Sequence, residues 1–426
     1  LLCLVMPLLS GSNIRSNKSH HNLDSFTNNN NIIIDKQPRI MSSRNQFRIV
    51  VGSYEHNILC LSLDLTLETP VFTPIFHFQA HSLSVKCLDI SKRYLVSGSN
   101  DEHIRIYDLQ KRKELGTLLA HQGSITSLKF SRGENNSSNK WLLSASDDHK
   151  IIIWRVKDWE NLGVLKGHTA RINDLAIHPT NRIAVSVSDD HSIRLWNLMT
   201  VKKAAVLKLR NYNQNGQFVR WLGTQGQYFA VALMNKILIY STDDAKVHHE
   251  IDLTRKTIMH METIQLTEDK EYLCVGLNDG NVQFYDIATL LEEKDLVSNL
   301  TPEFSLLGHT NRVKDFNFYK NSFGTYMVSI GSDGKVVVWN IKPDTQEQIA
   351  VYDCGERLNC MALCDESIEK YETMKKRASD EADLDAEQSE VESDTEEIKK
   401  AMFGKKNKKS KKQKKNKNKK ISVELE

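Results

Sequence analysis

The sequence predicts an all-β fold, a seven-bladed propeller, from three observations. A strand–turn–strand pattern ending in an aromatic residue recurs along the chain, the copies keep a nearly constant period, and the two ends of the repeating region complement each other. The pattern is plainest in "SVSDDHSIRLWNL", Ser186 to Leu198. It returns as "SASDDHKIIIWRV" from Ser144, "SGSNDEHIRIYDL" from Ser97 and "SIGSDGKVVVWNI" from Ser329, with weaker copies "VGLNDGNVQFYDI" and "ALMNKILIYSTD" ending at Ile287 and Asp243. Aligned on the aromatic residue these give Tyr107, Trp154, Trp196, Tyr240, Tyr285 and Trp339, at intervals of 47, 42, 44, 45 and 54 residues. That is the period of propeller blades, roughly 40 to 45 residues plus loop insertions. A seventh copy, "VGSYEHNILCLSL", places Leu61 46 residues before Tyr107.

The ends predict how the ring closes. The repeating region opens with "FRIVVGSYEHNILCLSL" and "VFTPIFHFQAHS", three strands without an innermost one, and finishes with "EQIAVYDCG" and "RLNCMAL", an outer strand followed by a surplus inner strand. A propeller leaves sheet edges exposed unless its ends pair. The strand at about 358–363 is therefore expected to complete the first blade.

Charge divides the chain into three. Between Ser379 and Glu397 there are ten acidic residues and no basic one, and between Lys399 and Lys420 thirteen lysines and no acid. Removing both runs leaves 44 basic and 44 acidic residues in the remainder, from totals of 57 and 54. The expected organisation is a low-complexity extension over 1–40, the propeller over 41–365, and a disordered acidic then lysine-rich tail over 366–426. "LLCLVMPLLSGS" at the start resembles a signal-peptide core but lacks a basic leading segment, and "NNNNIIID" follows it. Residues 1–40 are read as upstream-translated or disordered sequence, with Met41 opening the functional protein.

The seven cysteines are odd in number and contain no C-x-x-C pair. Neither a disulfide framework nor a zinc site is suggested, which points to the cell interior. No apolar run is long enough to span a membrane.

Inside each complete repeat the polar residues read as scaffold. A histidine precedes four of the copies, His81, His121, His168 and His309, and an aspartate lies six residues before the aromatic: Asp101, Asp148, Asp190, Asp279 and Asp333. A buried indole N–H needs an acceptor, a hydroxyl both accepts and donates, and a histidine can join that hydroxyl to a carboxylate. The expected braces are Trp196–Ser186–His168–Asp190, Trp154–Ser144–His121–Asp148, Trp339–Ser329–His309–Asp333, and His81 with Ser97 and Asp101. A His/Ser/Asp set could pass for a catalytic triad. Its repetition at four evenly spaced places argues for structure, and no phosphate loop, nucleophile elbow or metal cluster accompanies it. His248 and His249 have no further ligands at metal-site spacing. No enzyme activity, metal or cofactor is expected.

The GH and S-x-S-x-D-x-x-I-x-x-W spacing resembles a WD40 repeat, although the literal WD dipeptide never occurs. The repeats ending at Tyr240 and Tyr285 lack the preceding GH, and the first also lacks the turn aspartate, so less regular, less rigid blades are expected there. From "FRIVVGSYEHNILCLSL" through "HIRIYDLQKRKELGTLLAHQGSITSLKF", "WRVKDWENLGVLKGHTARINDLAIHPTNRIAVSVSDDHSIRLWNL", "NKILIY" and "HTNRVKDFNF" to the lysine-rich tail, the chain is similar to the WD40 proteins that interact with p21-activated kinase and act in large ribosomal subunit assembly. That resemblance implies a non-catalytic scaffold in the nucleus and nucleolus whose partners are pre-60S assembly factors and ribosomal proteins. The alternative it implies is a signalling scaffold that binds and inhibits a p21-activated kinase.

Two further readings concern contact with partners. The run "KKNKKSKKQKKNKNKK", with Lys405, Lys406, Lys408, Lys409, Lys411, Lys412, Lys414 and Lys415 among its eleven lysines, holds no aromatic residue or arginine. It can neutralise phosphates and serve as a nuclear-import signal without reading bases, which fits nonspecific rRNA contact. Ser389 and Ser393, each with an acidic residue three positions on, could be phosphorylated to strengthen the neighbouring acidic run. On the propeller, residues just before the inner strands should emerge on one rim, and Arg171, Asn173, Arg312 and Lys314 are the expected partner-binding residues. "HTARIND" and "HTNRVKD" set arginine at the same offset from histidine.

Overall fold

Short apolar runs rich in Val, Ile and Leu, separated by turns built on Asp, Asn and Gly, form antiparallel strands in groups of four. The computed structural model describes residues 44–132, 140–223, 225–267, 270–292, 297–298, 301–342 and 345–368. Among these residues there are seven sheets, each a blade. The innermost strands are Leu358–Asp365, Val85–Ser91, Ile125–Phe130, Ile172–Ile177, Phe218–Leu222, Ile258–Gln265 and Val313–Asn321, for blades 1 to 7 in turn. Each packs against the next, and the seventh returns to the first, so the chain is a closed seven-bladed propeller.

Closure uses the end of the chain. Leu358–Asp365 pairs antiparallel with Gln46–Ser53, joining Phe47 to Asp365 and Val50 to Ala362. Phe47, Ile49 and Val51 then pack on Val328, Ile330 and Val336 of blade 7, all of them buried. The ordered ring runs slightly beyond the expected boundary at 365. Glu366–Ile368 forms a 3-10 turn, and Glu366 Oε1 lies 2.8 Å from Nη2 of the buried Arg48. Glu366 Oε2 also accepts the Ser62 hydroxyl at 2.9 Å. A buried guanidinium needs a carboxylate, and the residue just after the last strand supplies it.

The repeat leaves a mark in the backbone. The register between third and fourth strands shifts just before Leu61, Tyr107, Trp154, Trp196, Tyr240 and Trp339. Leu61 therefore occupies the aromatic position in blade 1, as the alignment required. In six blades the turn between second and third strands holds one left-handed residue, His56, Glu102, His149 and His191 in blades 1 to 4 and Gly280 and Gly334 in blades 6 and 7. At Gly280 a Cβ would approach the His309 carbonyl oxygen to 2.1 Å, so only glycine fits.

Blades 5 and 6 are irregular in their connections. A helix, Ile287–Glu292, follows the third strand of blade 6, and Val297–Ser298 then pairs in parallel with Glu250 and Ile251 at the outer edge of blade 5. Their shared core is nevertheless buried, with Ile237, Ile239, Met261, Leu273 and Leu277 fully so. Tyr240 stacks on Phe229 at 5.2 Å with 7° between the rings, where blades 3, 4 and 7 hold an indole.

Candidate partner-binding face and the polar frame beneath it

In four blades a histidine side chain links the loop before the inner strand to the turn between second and third strands. His168 Nδ1 lies 2.9 Å from Asp190 Oδ2 and its Nε2 2.8 Å from Ser186 Oγ, which accepts the Trp196 indole N–H at 2.8 Å. His121 stands likewise 3.1 Å from Asp148 and 2.8 Å from Ser144, and Trp154 donates to Ser144 at 2.9 Å. His81 bridges Asp101 at 3.0 Å and Ser97 at 2.7 Å, and His309 bridges Asp333 at 3.1 Å and Ser329 at 2.9 Å. Two sets stop short of the indole. Tyr107 stands at the indole position in blade 2, and Trp339, 7% exposed, makes no hydrogen bond to Ser329.

Each aspartate also gathers backbone amides from both loops. Asp190 accepts Thr169 N and Ser192 N at 3.1 and 3.0 Å, and Asp148 accepts Gln122 N and Lys150 N at 3.2 and 3.1 Å. Burial pushes the Asp148 carboxyl up, but bonds from His121 and those amides outweigh it and bring it down to about 2. Burial lowers His81, His168 and His309 below the ordinary histidine value, against the pull of their aspartates. A neutral imidazole donating from Nδ1 to the carboxylate and accepting the serine proton at Nε2 satisfies every group in the set.

A second polar frame, which the sequence reading missed, runs around the channel. Arg220 Nη1 of blade 5 contacts Asp174 of blade 4 at 2.5 Å and its Nε contacts Glu262 of blade 6 at 2.9 Å. Asp174 also accepts the Ser127 hydroxyl of blade 3 at 2.9 Å and Val219 N of blade 5 at 3.2 Å. His260 of blade 6 meets Asp315 of blade 7 at 3.1 Å, and Asp315 accepts Met361 N of blade 1 at 2.9 Å. Asp89 of blade 2 accepts Phe130 N of blade 3 at 2.6 Å. Burial opposes the Glu262 charge, yet Arg220 brings its carboxyl down to about 2. The available signal was a carboxylate in the middle of an apolar inner strand, as in "INDLAI" and "VKDFNF".

On the face above these braces the channel opens into a recess of about 330 Å³ lined by Lys86, Arg171, Asn173, Lys314 and Asn359, with Lys129 and Arg220 deeper. The four expected partner-binding residues fare differently. Asn173 bridges Asp189 at 2.7 Å and the Gly216 carbonyl at 2.8 Å, tying blade 4 to blade 5. Arg171 is about half exposed, and its Nε lies 3.1 Å from Asp147 Oδ1. Lys314 is half-buried in the recess and Arg312 is exposed two residues earlier. The lysines from Lys405 to Lys420, the acidic run and residues 1–40 lie outside the described residues. Among the described residues no three His, Cys, Asp or Glu side chains gather as a metal site.

Seven blades with repeated His–Ser–Asp braces define a WD40-type propeller, a fold that presents its faces to protein partners. The WD40 family, described as "WD domain, G-beta repeat", matches residues 72–108, 112–155, 159–197 and 300–340. The chain is 64% identical to Protein MAK11 of Saccharomyces cerevisiae over 414 residues, covering 91% of this chain and 99% of that one. It is 33% identical to p21-activated protein kinase-interacting protein 1 of Homo sapiens, covering 74% of this chain and 75% of the relative. A p21-activated protein kinase-interacting protein 1-like protein of Gallus gallus is 30% identical over 78% of this chain and 84% of its own length. The chain belongs to the WD40-repeat family of MAK11 and the p21-activated protein kinase-interacting proteins. None of these matches indicates a catalytic family.

Proposed function

We propose that the protein is a non-catalytic scaffold in nucleolar assembly of the large ribosomal subunit. The supporting observation is the 64% identity to MAK11 across 91% of the chain, joined to the resemblance the motifs carry toward ribosome-assembly WD40 proteins. In this reading the histidine braces hold the loops of one face rigid, so that Arg312 and Lys314, with Arg171 of blade 4 across the channel mouth, dock a protein of the pre-60S particle. The lysine tail supplies nuclear import and phosphate contact, which require charge and no fold.

Two experiments test it. Sedimentation on sucrose gradients should place the parent protein with pre-60S particles, and Arg312→Glu with Lys314→Glu should move it to free fractions with circular dichroism nearly unchanged. Replacing Lys405 to Lys420 lysines by glutamine should abolish nucleolar enrichment while melting stays the same. A parent protein found only in free cytosolic fractions would overturn the assembly role. Similarity to p21-activated protein kinase-interacting proteins favours one second reading, a scaffold that binds a p21-activated kinase, and a diffuse cytosolic signal with kinase co-purification would support it.

A further inference from the structure

The face around the channel mouth is electrically lopsided. Across blades 4 to 6 the cations nearest the channel mouth are matched, Arg171 against Asp147, Arg194 Nη2 3.7 Å from Asp190 and Lys256 3.1 Å from Asp279, while Lys208, Arg210 and Arg255 stand exposed outside the recess. Over blades 7, 1 and 2 unmatched cations gather around the recess itself. Lys86, Arg312, Lys314 and Arg357 face that sector, and among the described residues none has a carboxylate within 4.0 Å. Lys86 and Lys314 line the recess and are partly buried, so their charges crowd one concave opening. Burial first, then the charges of Arg312, Lys86 and Arg357, holds the Lys314 ammonium below the ordinary lysine range. Unmatched like charges in a concavity repel each other, and a bound anion relieves that cost.

Apolar surface borders the cations. Tyr54 is 55% exposed, its N–H donates to the Arg357 carbonyl at 2.7 Å, and the Arg357 guanidinium lies 5.4 Å from its ring centroid. Leu83, 51% exposed, sits in the loop that leads into Lys86. A recess of this kind admits one extended chain or a few side chains and excludes a duplex. Arg357 already lies over one face of the Tyr54 ring, and a single ring cannot stack a run of successive bases.

We infer that this sector, at blades 7, 1 and 2, captures an acidic peptide segment of a protein partner, with carboxylates at Lys86, Arg312, Lys314 and Arg357 and apolar side chains at Tyr54 and Leu83. The inference rests on the docking role proposed for this face and gives that role its partner chemistry. It also moves the centre of binding from Arg171 to the unmatched cations.

The test uses the purified full chain and fluorescence anisotropy, so it does not depend on pre-ribosomal particles. The probe is a labelled peptide of about twelve residues in which Asp and Glu alternate with Leu and Phe. Comparison probes are its Asn/Gln counterpart, an Asp/Glu/Ser peptide without apolar residues, and a labelled oligouridine of similar length. K314Q with R357Q should weaken the acidic apolar peptide about tenfold, a loss expected from two charge contacts. R171Q, whose partner is Asp147, should change it less than about twofold. Replacing the tail lysines with glutamine should leave rim binding in place, and K314Q with R357Q should melt as the parent does. Equal affinity for the Asn/Gln or Ser peptide, binding lost with the tail and not with the rim, or oligouridine displaced by the rim substitutions would each overturn the assignment. Peptide binding without pre-60S sedimentation would fault the assembly role and leave this site standing.

Discussion

Arg220 of blade 5 and Asp174 of blade 4 form a buried ion pair, 2.5 Å between Nη1 and Oδ2, with both side chains 7% exposed. Through Ser127 and Glu262 this pair connects four consecutive blades. Losing the guanidinium strands two carboxylates in a site with little water, so Arg220→Met should destabilise by about 3–5 kcal/mol. Adding Asp174→Asn and Glu262→Gln should recover part of that loss. Urea unfolding of the three proteins measures it, and a single variant within about 1 kcal/mol of the parent would dismiss the frame as a stabilising unit.

Trp196 and Trp339 occupy the same place in their repeats, yet only Trp196 donates to its serine. Trp196→Phe should therefore cost about 1 kcal/mol more than Trp339→Phe, the worth of one hydrogen bond. Trp196→Ala should cost about 3–5 kcal/mol, since a cavity is added to the orphaned Ser186. Equal losses for the two phenylalanine variants would remove the distinction between the braces.

The contact of Arg48 with Glu366 sets where the chain can be cut. Ending the protein after Ile368 should leave a folded ring. Ending it after Asp365 keeps the closing strand but removes the carboxylate, and should destabilise by about 3–5 kcal/mol. Ending it before Leu358 should give insoluble protein, because Gln46–Ser53 loses its partner strand. Soluble, fully stable protein from the shortest form would contradict closure by the last strand.

Acid should weaken the propeller in two stages. His81, His168 and His309 have folded values below the unfolded one, so the unfolded chain binds more protons and stability drops as pH falls below about 6.5. Asp148, held at about 2, has the same sign. Its contribution is complete above about pH 4 and is lost as pH approaches 2. Urea midpoints taken at pH 8, 6, 5 and 4 should decline throughout. A midpoint that is flat or rising between pH 7 and 5 would show that the histidines carry no such linkage.

The period, the blade count and the surplus strand were all legible in residue spacing, because a repeat writes the same local physics many times. Leu61 could be aligned without an aromatic ring for that reason. The channel frame was harder to see: Arg220 and Glu262 occur once each and acquire meaning only when inner strands from different blades meet. On the proposed partner face Arg312 stands out by its offset from His309, whereas Arg357 precedes the closing strand and has no repeat to mark it. The bonds of the Asn173 amide to Asp189 and Gly216 left no mark in the sequence, because they join turns and loops of two different blades. Directly after the last strand, Glu366 lay inside an assumed tail for want of any local signal that Arg48 needed it.

Among the described residues, blade 1 is made from the first strands and the last strand to be synthesised. Phe47 and its partner Asp365 are 318 residues apart, so at about 5–20 residues per second roughly 15–60 s pass between their appearance. Through that interval the six other blades can assemble while Gln46–Ser53 offers an open hydrogen-bonding edge to whatever is near. The nascent chain is thus exposed to mispairing until Leu358–Asp365 has been made, and only from then can the ring shut.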